Sequence, residues 1–103
     1  MIRVFYVPCA DKKSAQKMAK TLLKENLIFC ANIISGMQSV YRWKNKITSS
    51  KEVVLIVKTL AKGKKLARRI EELHSYDVPC VLELPTIGIN KKYLQWAKEQ
   101  NGK

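Results

Sequence analysis

The run CANIISGMQSVYRWKNKITSSKEVVLIVKT spans residues 30–59 and decides how the rest of the chain is read. Two β-rich arms flank Lys44, Asn45 and Lys46, and asparagine tolerates the left-handed backbone that a tight hairpin turn demands. The turn therefore centres near Asn45. Each arm can hold far more than the usual five or six strand residues, more than a small domain needs for its own sheet. A long exposed edge invites pairing with another chain, so the hairpin predicts that copies of this chain cover one another. Gly36 lies inside the first arm, where glycine signals a bulge, a bend or a close backbone approach. Residues 47–51 are polar and read as loop or exposed strand, and residues 53–57 as a buried strand.

Residues 1–103 have the length of one domain. With 47% apolar residues there is enough for one core and some apolar surface for partners. The apolar stretch 4–10 is interrupted by Pro8 and is too short for a signal segment or a membrane span. Cys9, Cys30 and Cys80 are odd in number and widely spaced, which fits neither a disulfide framework nor a zinc knuckle. The reading is a cytoplasmic protein with buried thiols and no membrane partner. The formal charge of +12 comes from 20 basic residues against 8 acidic ones. Lys12, Lys13, Lys17, Lys20 and Lys24 fall on one helix and Lys62, Lys64, Lys65, Arg68 and Arg69 on another, mostly opposite the apolar stripe. That is the position of a solvated face.

Outward from the hairpin, residues 2–7 form an apolar run that Pro8 closes, the pattern of a central strand covered on both sides. Asp11 or Ser14 can cap a helix whose stripe is Ala15, Met18, Ala19, Leu22 and Leu23. Asn26 is a left-handed stop, and β character resumes over residues 27–34. After the hairpin, a second helix begins at Thr59 or within residues 61–63, carries Leu66, Ala67, Ile70 and Leu73, and ends at residues 74–76. Pro79 precedes a fourth strand at residues 81–84, which Pro85 closes. Asn90 can cap a last helix bearing Tyr93, Leu94, Trp96 and Ala97, whose rings require covering. The order βαββαβ with a long β2-β3 hairpin and a short C-terminal helix is the ferredoxin-like α+β sandwich.

No nucleotide-binding or hydrolase motif is present, and one histidine with 8 scattered carboxylates is poor material for a catalyst. The expected class is a binding protein, not an enzyme. RNA-recognition domains share the ferredoxin-like order, but residues 52–58 lack that motif's glycine and aromatics. A basic RNA-binding module stands as the alternative, with nucleic acid outside the main expectation. Residues that break local rules are Asn32 within a strand, Trp43 beside a turn, Lys58 at the end of an apolar strand, and His74 and Tyr76 at a helix-to-strand junction; together they could line one ligand cleft. Asn32 could instead pair with backbone at a bulge, Lys58 simply project past the strand end, and Trp43 anchor an intersubunit contact. His74 can interact with helix-terminal carbonyls as a cation, or join Cys80 in binding copper or zinc.

Read together, ANIISG at 31–36, SVYRWK at 39–44, KT at 58–59, LHSYDVP at 73–79, LP at 84–85 and YLQW at 93–96 resemble the CutA family over nearly the whole chain. The resemblance implies a homotrimer built through the long hairpins and a role in tolerance of divalent metal, copper in particular. It also implies likeness to the PII signalling trimers, which bind small ligands between subunits, with Trp43, Lys58, His74 and Tyr76 as the cleft. The family's copper positions match Val7, Leu73 and His74 here, and Cys80 stands where the family usually has glutamate.

Overall fold

The computed structural model describes residues 1–100. Its elements are β1 (Arg3–Cys9), α1 (Lys12–Lys24), β2 (Cys30–Trp43), β3 (Lys46–Thr59), α2 (Gly63–Leu73), β4 (Leu82–Leu84) and α3 (Lys91–Gln100). All neighbours in the sheet are antiparallel and the order is β2-β3-β1-β4. This is the expected ferredoxin-like arrangement, with the hairpin at one edge and the short β4 at the other.

Alternation assigns the faces. Phe5, Val7 and Cys9 of β1 and Val53, Leu55 and Val57 of β3 pack with Ala15, Met18, Ala19 and Leu22 of α1 and Leu66 and Ile70 of α2. Each large side chain fully buried there contributes roughly 1.5–3 kcal/mol. On the other face, α3 covers only one end, where Ala97, Tyr93 and Leu94 meet Ile2, Phe29, Val4 and Cys30. The remainder of that face, including Asn32 and the half-exposed Ile34, lies open.

Capping chemistry follows the sequence closely. Asp11 is the N-cap of α1: it accepts from the Ser14 N–H at 2.8 Å while the Ser14 hydroxyl accepts from the Asp11 N–H, a reciprocal box. Asn26 takes the left-handed conformation with φ 58° just beyond the helix. Leu23 departs from the predicted stripe and is exposed, because helical spacing carries it round to the flank. Strand β2 begins at Cys30 rather than 27, residues 27–29 being a buried connection.

Pro8 does not end β1, which runs through Cys9. The N–H and C=O of a strand residue point to the same side, and the Pro8 carbonyl is turned to the His74 ring, away from β3. The missing N–H therefore removes no bond from the β1-β3 ladder, and β4 pairs only as far as Tyr6.

The turn is the two residues Lys44 and Asn45, at φ 49° and 64°, between the paired Trp43 and Lys46. Positive φ at both positions is the type I′ turn that matches strand twist. Residues 47–51 are strand, not loop. Gly36 has φ 86° at a register shift between Ile34 and Met37, the expected bulge. Fourteen-residue arms at roughly 3.3 Å per residue reach about 45 Å. That accounts for the molecule's longest dimension of 46 Å.

Candidate functional site

The chain leaves α2 at His74 and returns to the sheet through residues 75–81, across the end of β1 and the bulge of the hairpin. The His74 Nε2 lies 2.8 Å from the Pro8 carbonyl oxygen, and its Nδ1 accepts from the Tyr76 N–H at 3.2 Å. A carbonyl only accepts, so Nε2 carries the proton and the tautomer is fixed. The predicted contact of this ring with its own helix carbonyls is not what the structure shows; those carbonyls are met by the His74 backbone N–H. The Tyr76 ring sits 4.6 Å from the imidazole, and its hydroxyl donates to Glu52 Oε2 at 2.8 Å.

Burial first, and the hydrogen bond to Glu52 second, push the Tyr76 hydroxyl well above its ordinary range. Burial and the charge of Glu52 push the Cys80 thiol up as well. Both groups are therefore kept protonated at neutral pH.

A groove of about 610 Å³ follows, lined by Pro8, Trp43, Glu52, Tyr76 and Cys80 with Lys51 at its side. Register explains how distant residues share it. Met37 pairs with Glu52, Ser39 with Ser50 and Trp43 with Lys46, so all of these lie on the open face of the sheet. The bulge at Gly36 turns β2 where Glu52 enters. The groove is open, carries the aromatic rings of Tyr41, Trp43 and Tyr76, and is bounded by the carboxylates of Glu52 and Asp77 and by one lysine. It can take a ligand with a flat apolar part and a polar end.

The predicted cleft is thus divided. Trp43, Tyr76 and Cys80 share the groove. His74 stands behind Tyr76 and faces a separate hollow with Cys9, Ser14 and Lys17. Lys58 is six residues along β3 from Glu52, about 20 Å, where its Nζ donates to the Tyr93 hydroxyl at 3.4 Å and lies 5.4 Å from that ring's centre. Asn32 is exposed between them, opposite Ile56. Sequence reasoning missed Glu52 and Pro8. Glu52 opens an apolar strand just after a polar stretch, and a charge at such a junction was the available signal.

The metal expectation meets a specific geometry. Within one chain the described residues contain no group of three or more histidine, cysteine or carboxylate side chains able to hold a metal ion. Both nitrogens of His74 are engaged, and Val7 and Leu73, the other two positions to which the resemblance pointed, are apolar.

By fold, the chain is a ferredoxin-like sandwich extended by one oversized hairpin, and known proteins of that class share its whole length. A family model described as CutA1 divalent ion tolerance protein matches residues 3–100. The divalent-cation tolerance protein CutA of Thermus thermophilus is 36% identical over 103 residues, covering 99% of this chain and 100% of that one. The protein of the same description from Pyrococcus horikoshii is 42% identical over 101 residues, covering 97% and 98%. The chloroplastic CutA of Arabidopsis thaliana is 38% identical over 96 residues, which are 92% of this chain but 53% of the plant protein. Among solved structures, CutA1 from Ehrlichia chaffeensis superposes with a TM-score of 0.92 at 29% identity, covering 98% of this chain and 95% of that one. The chain belongs to the CutA1 divalent ion tolerance family.

Proposed function

We propose that this chain acts as a homotrimer in divalent-metal tolerance, holding a small ligand in the groove of Trp43, Glu52, Tyr76 and Cys80 where one subunit meets the next. Its work is binding rather than turnover. The observation that carries this is the uncovered hairpin: Val40 and Ile47 are 67% and 76% exposed, Trp43 49% and Ile34 53%. Apolar residues at that density on an extended arm belong under a partner, and a second copy of the same arm is the partner of matching shape. The number three comes from the resemblance of this hairpin to the family's.

A divalent metal, copper foremost, is the second reading. Cys80 and Glu52 line one groove, and a neighbouring subunit brought against the hairpin would supply the further donor; His74 could contribute only after releasing Pro8 or the Tyr76 N–H. Cytoplasmic placement belongs to the same proposal and is supported by the three unpaired thiols. No helix among the described residues is long and apolar enough to cross a membrane.

The test is native mass by light scattering with bound metal measured on the same sample. The expected result is a trimer. Copper or zinc near one per chain, lost in Cys80→Ala, selects the metal reading; a metal-free trimer selects the small ligand. A monomer overturns the intersubunit groove.

A further inference from the structure

The helix layer on the opposite side of the sheet carries a charge pattern that the groove does not use. In α1, Lys13, Lys17, Lys20 and Lys24 recur at intervals of four, three and four, which at 3.6 residues per turn confines them to an arc of about 60° over roughly 16 Å. Ala15, Met18, Ala19 and Leu22, the buried residues of the helix, lie on the reverse. All four lysines are exposed.

The ion pairs among the described residues are Arg3–Glu83, Arg69–Glu25 and Arg69–Glu72. Glu25, just past the end of α1, is thus committed to Arg69, and its carboxyl is held below the usual range by that hydrogen bond. Beside it Lys65 and Arg68 extend the basic strip onto α2 in a shallow hollow. Solvation alone does not require this arrangement. Alternating Glu and Lys at the same spacing would stabilise the helix, whereas like charges at i,i+4 oppose it. At the start of α1 the Asp11 carboxylate already answers the helix dipole, but the first turn of α2 contains no acidic residue and carries Lys64 and Lys65 at the positive end of its dipole, where cations are disfavoured. A polyanion laid along the strip removes both penalties.

We propose that the outer face of α1, continued by Lys65 and Arg68, is a docking surface for duplex nucleic acid, contacted through its phosphate backbone without sequence preference. Lysine point charges suit that role. The strip presents no aromatic ring for base stacking, so single strands are not the fitting partner. The apolar side of α1 is buried in the core, so the helix has nothing to insert into a lipid surface. The duplex is DNA or RNA, which share this phosphate chemistry.

Titration of the purified full chain against short random-sequence duplex DNA and duplex RNA, by fluorescence anisotropy between about 50 and 200 mM salt, tests the proposal. The expected result is salt-dependent binding to both duplexes. Replacing Lys13, Lys17, Lys20 and Lys24 together by Gln, a good helix former, is expected to weaken binding at least about tenfold and reduce the salt slope by about 3 to 4. A charge-matched control, Lys46→Gln with Lys91→Gln, Lys92→Gln and Lys98→Gln, removes the same charge from the hairpin and α3, and is expected to bind nearly as the parent does. Circular dichroism and native mass confirm that both variants fold and assemble. Equal losses in the two variants would reduce the effect to net charge and overturn the surface. So would tighter binding to vesicles with about 30% phosphatidylserine than to either duplex, or no binding at low salt.

Discussion

The two halves of the hairpin are one continuous strand pair with opposite surroundings. At its root, Val53, Leu55 and Val57 are buried between the sheet and two helices. Toward its tip, Val40, Tyr41, Trp43 and Ile47 project from the body with large exposed fractions. The backbone ladder is continuous through both halves except for the bulge between Ile34 and Met37. Hydrogen bonding therefore does not distinguish them; side-chain burial does. Within one chain the root stabilises the fold, while the tip is an exposed apolar surface, and the candidate groove forms where the two meet.

The strongest way to break this comparison is truncation on each side of it. Leu55→Ala at the root should cost about 2–5 kcal/mol of folding stability, read by denaturant unfolding. Ile47→Ala at the tip should cost less than about 0.5 kcal/mol of the chain's own stability; similar losses would place the tip in a core. Charging the tip with Val40→Lys and Ile47→Lys should instead lower the native mass while the circular dichroism spectrum holds.

Between the halves, Gly36→Ala should cost about 1–2 kcal/mol through its left-handed backbone alone, since a Cβ there meets nothing within 4 Å. An unchanged stability would mean that the bulge relaxes. Tyr76→Phe removes the hydrogen bond to Glu52 and should cost about 1 kcal/mol. If the groove holds the ligand, it should weaken ligand retention more than it weakens folding.

The last effect is confined to alkali. Burial, with Glu52 and Asp11 nearby, pushes the Cys9 thiol from 9.0 up to about 11. The folded chain therefore binds this proton more tightly than the unfolded chain, and the contribution is complete below pH 9 and fades as pH rises toward about 11. Melting temperature should be level to pH 9 and then decline, and Cys9→Ala should flatten that decline. Tyr76, shifted the same way, adds a loss at still higher pH.

Much of this was legible in the sequence because it is local. Apolar spacing located α1 and α2, Asp11 and Asn26 marked the ends of α1, and Asn45 placed the turn within one residue. The motifs around Gly36, Trp43 and Tyr76 pointed to the family. The site was less legible. Asn32, Trp43, Lys58 and Tyr76 each break a local rule, and nothing local says that Trp43 and Tyr76 share a groove while Lys58 pairs with Tyr93 some 20 Å along the strand. The partner of Tyr76, Glu52, is 24 residues away.

What the sequence by itself determined is the element order, the face each helix buries and the length of the hairpin, because periodicity and turn chemistry act between near neighbours. Only the tertiary structure decided that Pro8 turns its carbonyl to His74, that Glu52 meets Tyr76, and that the basic stripe of α1 and the open groove lie on opposite sides of the sheet. Those facts depend on strand register and on the path of residues 74–81 over the sheet, and both are set by how the whole core packs.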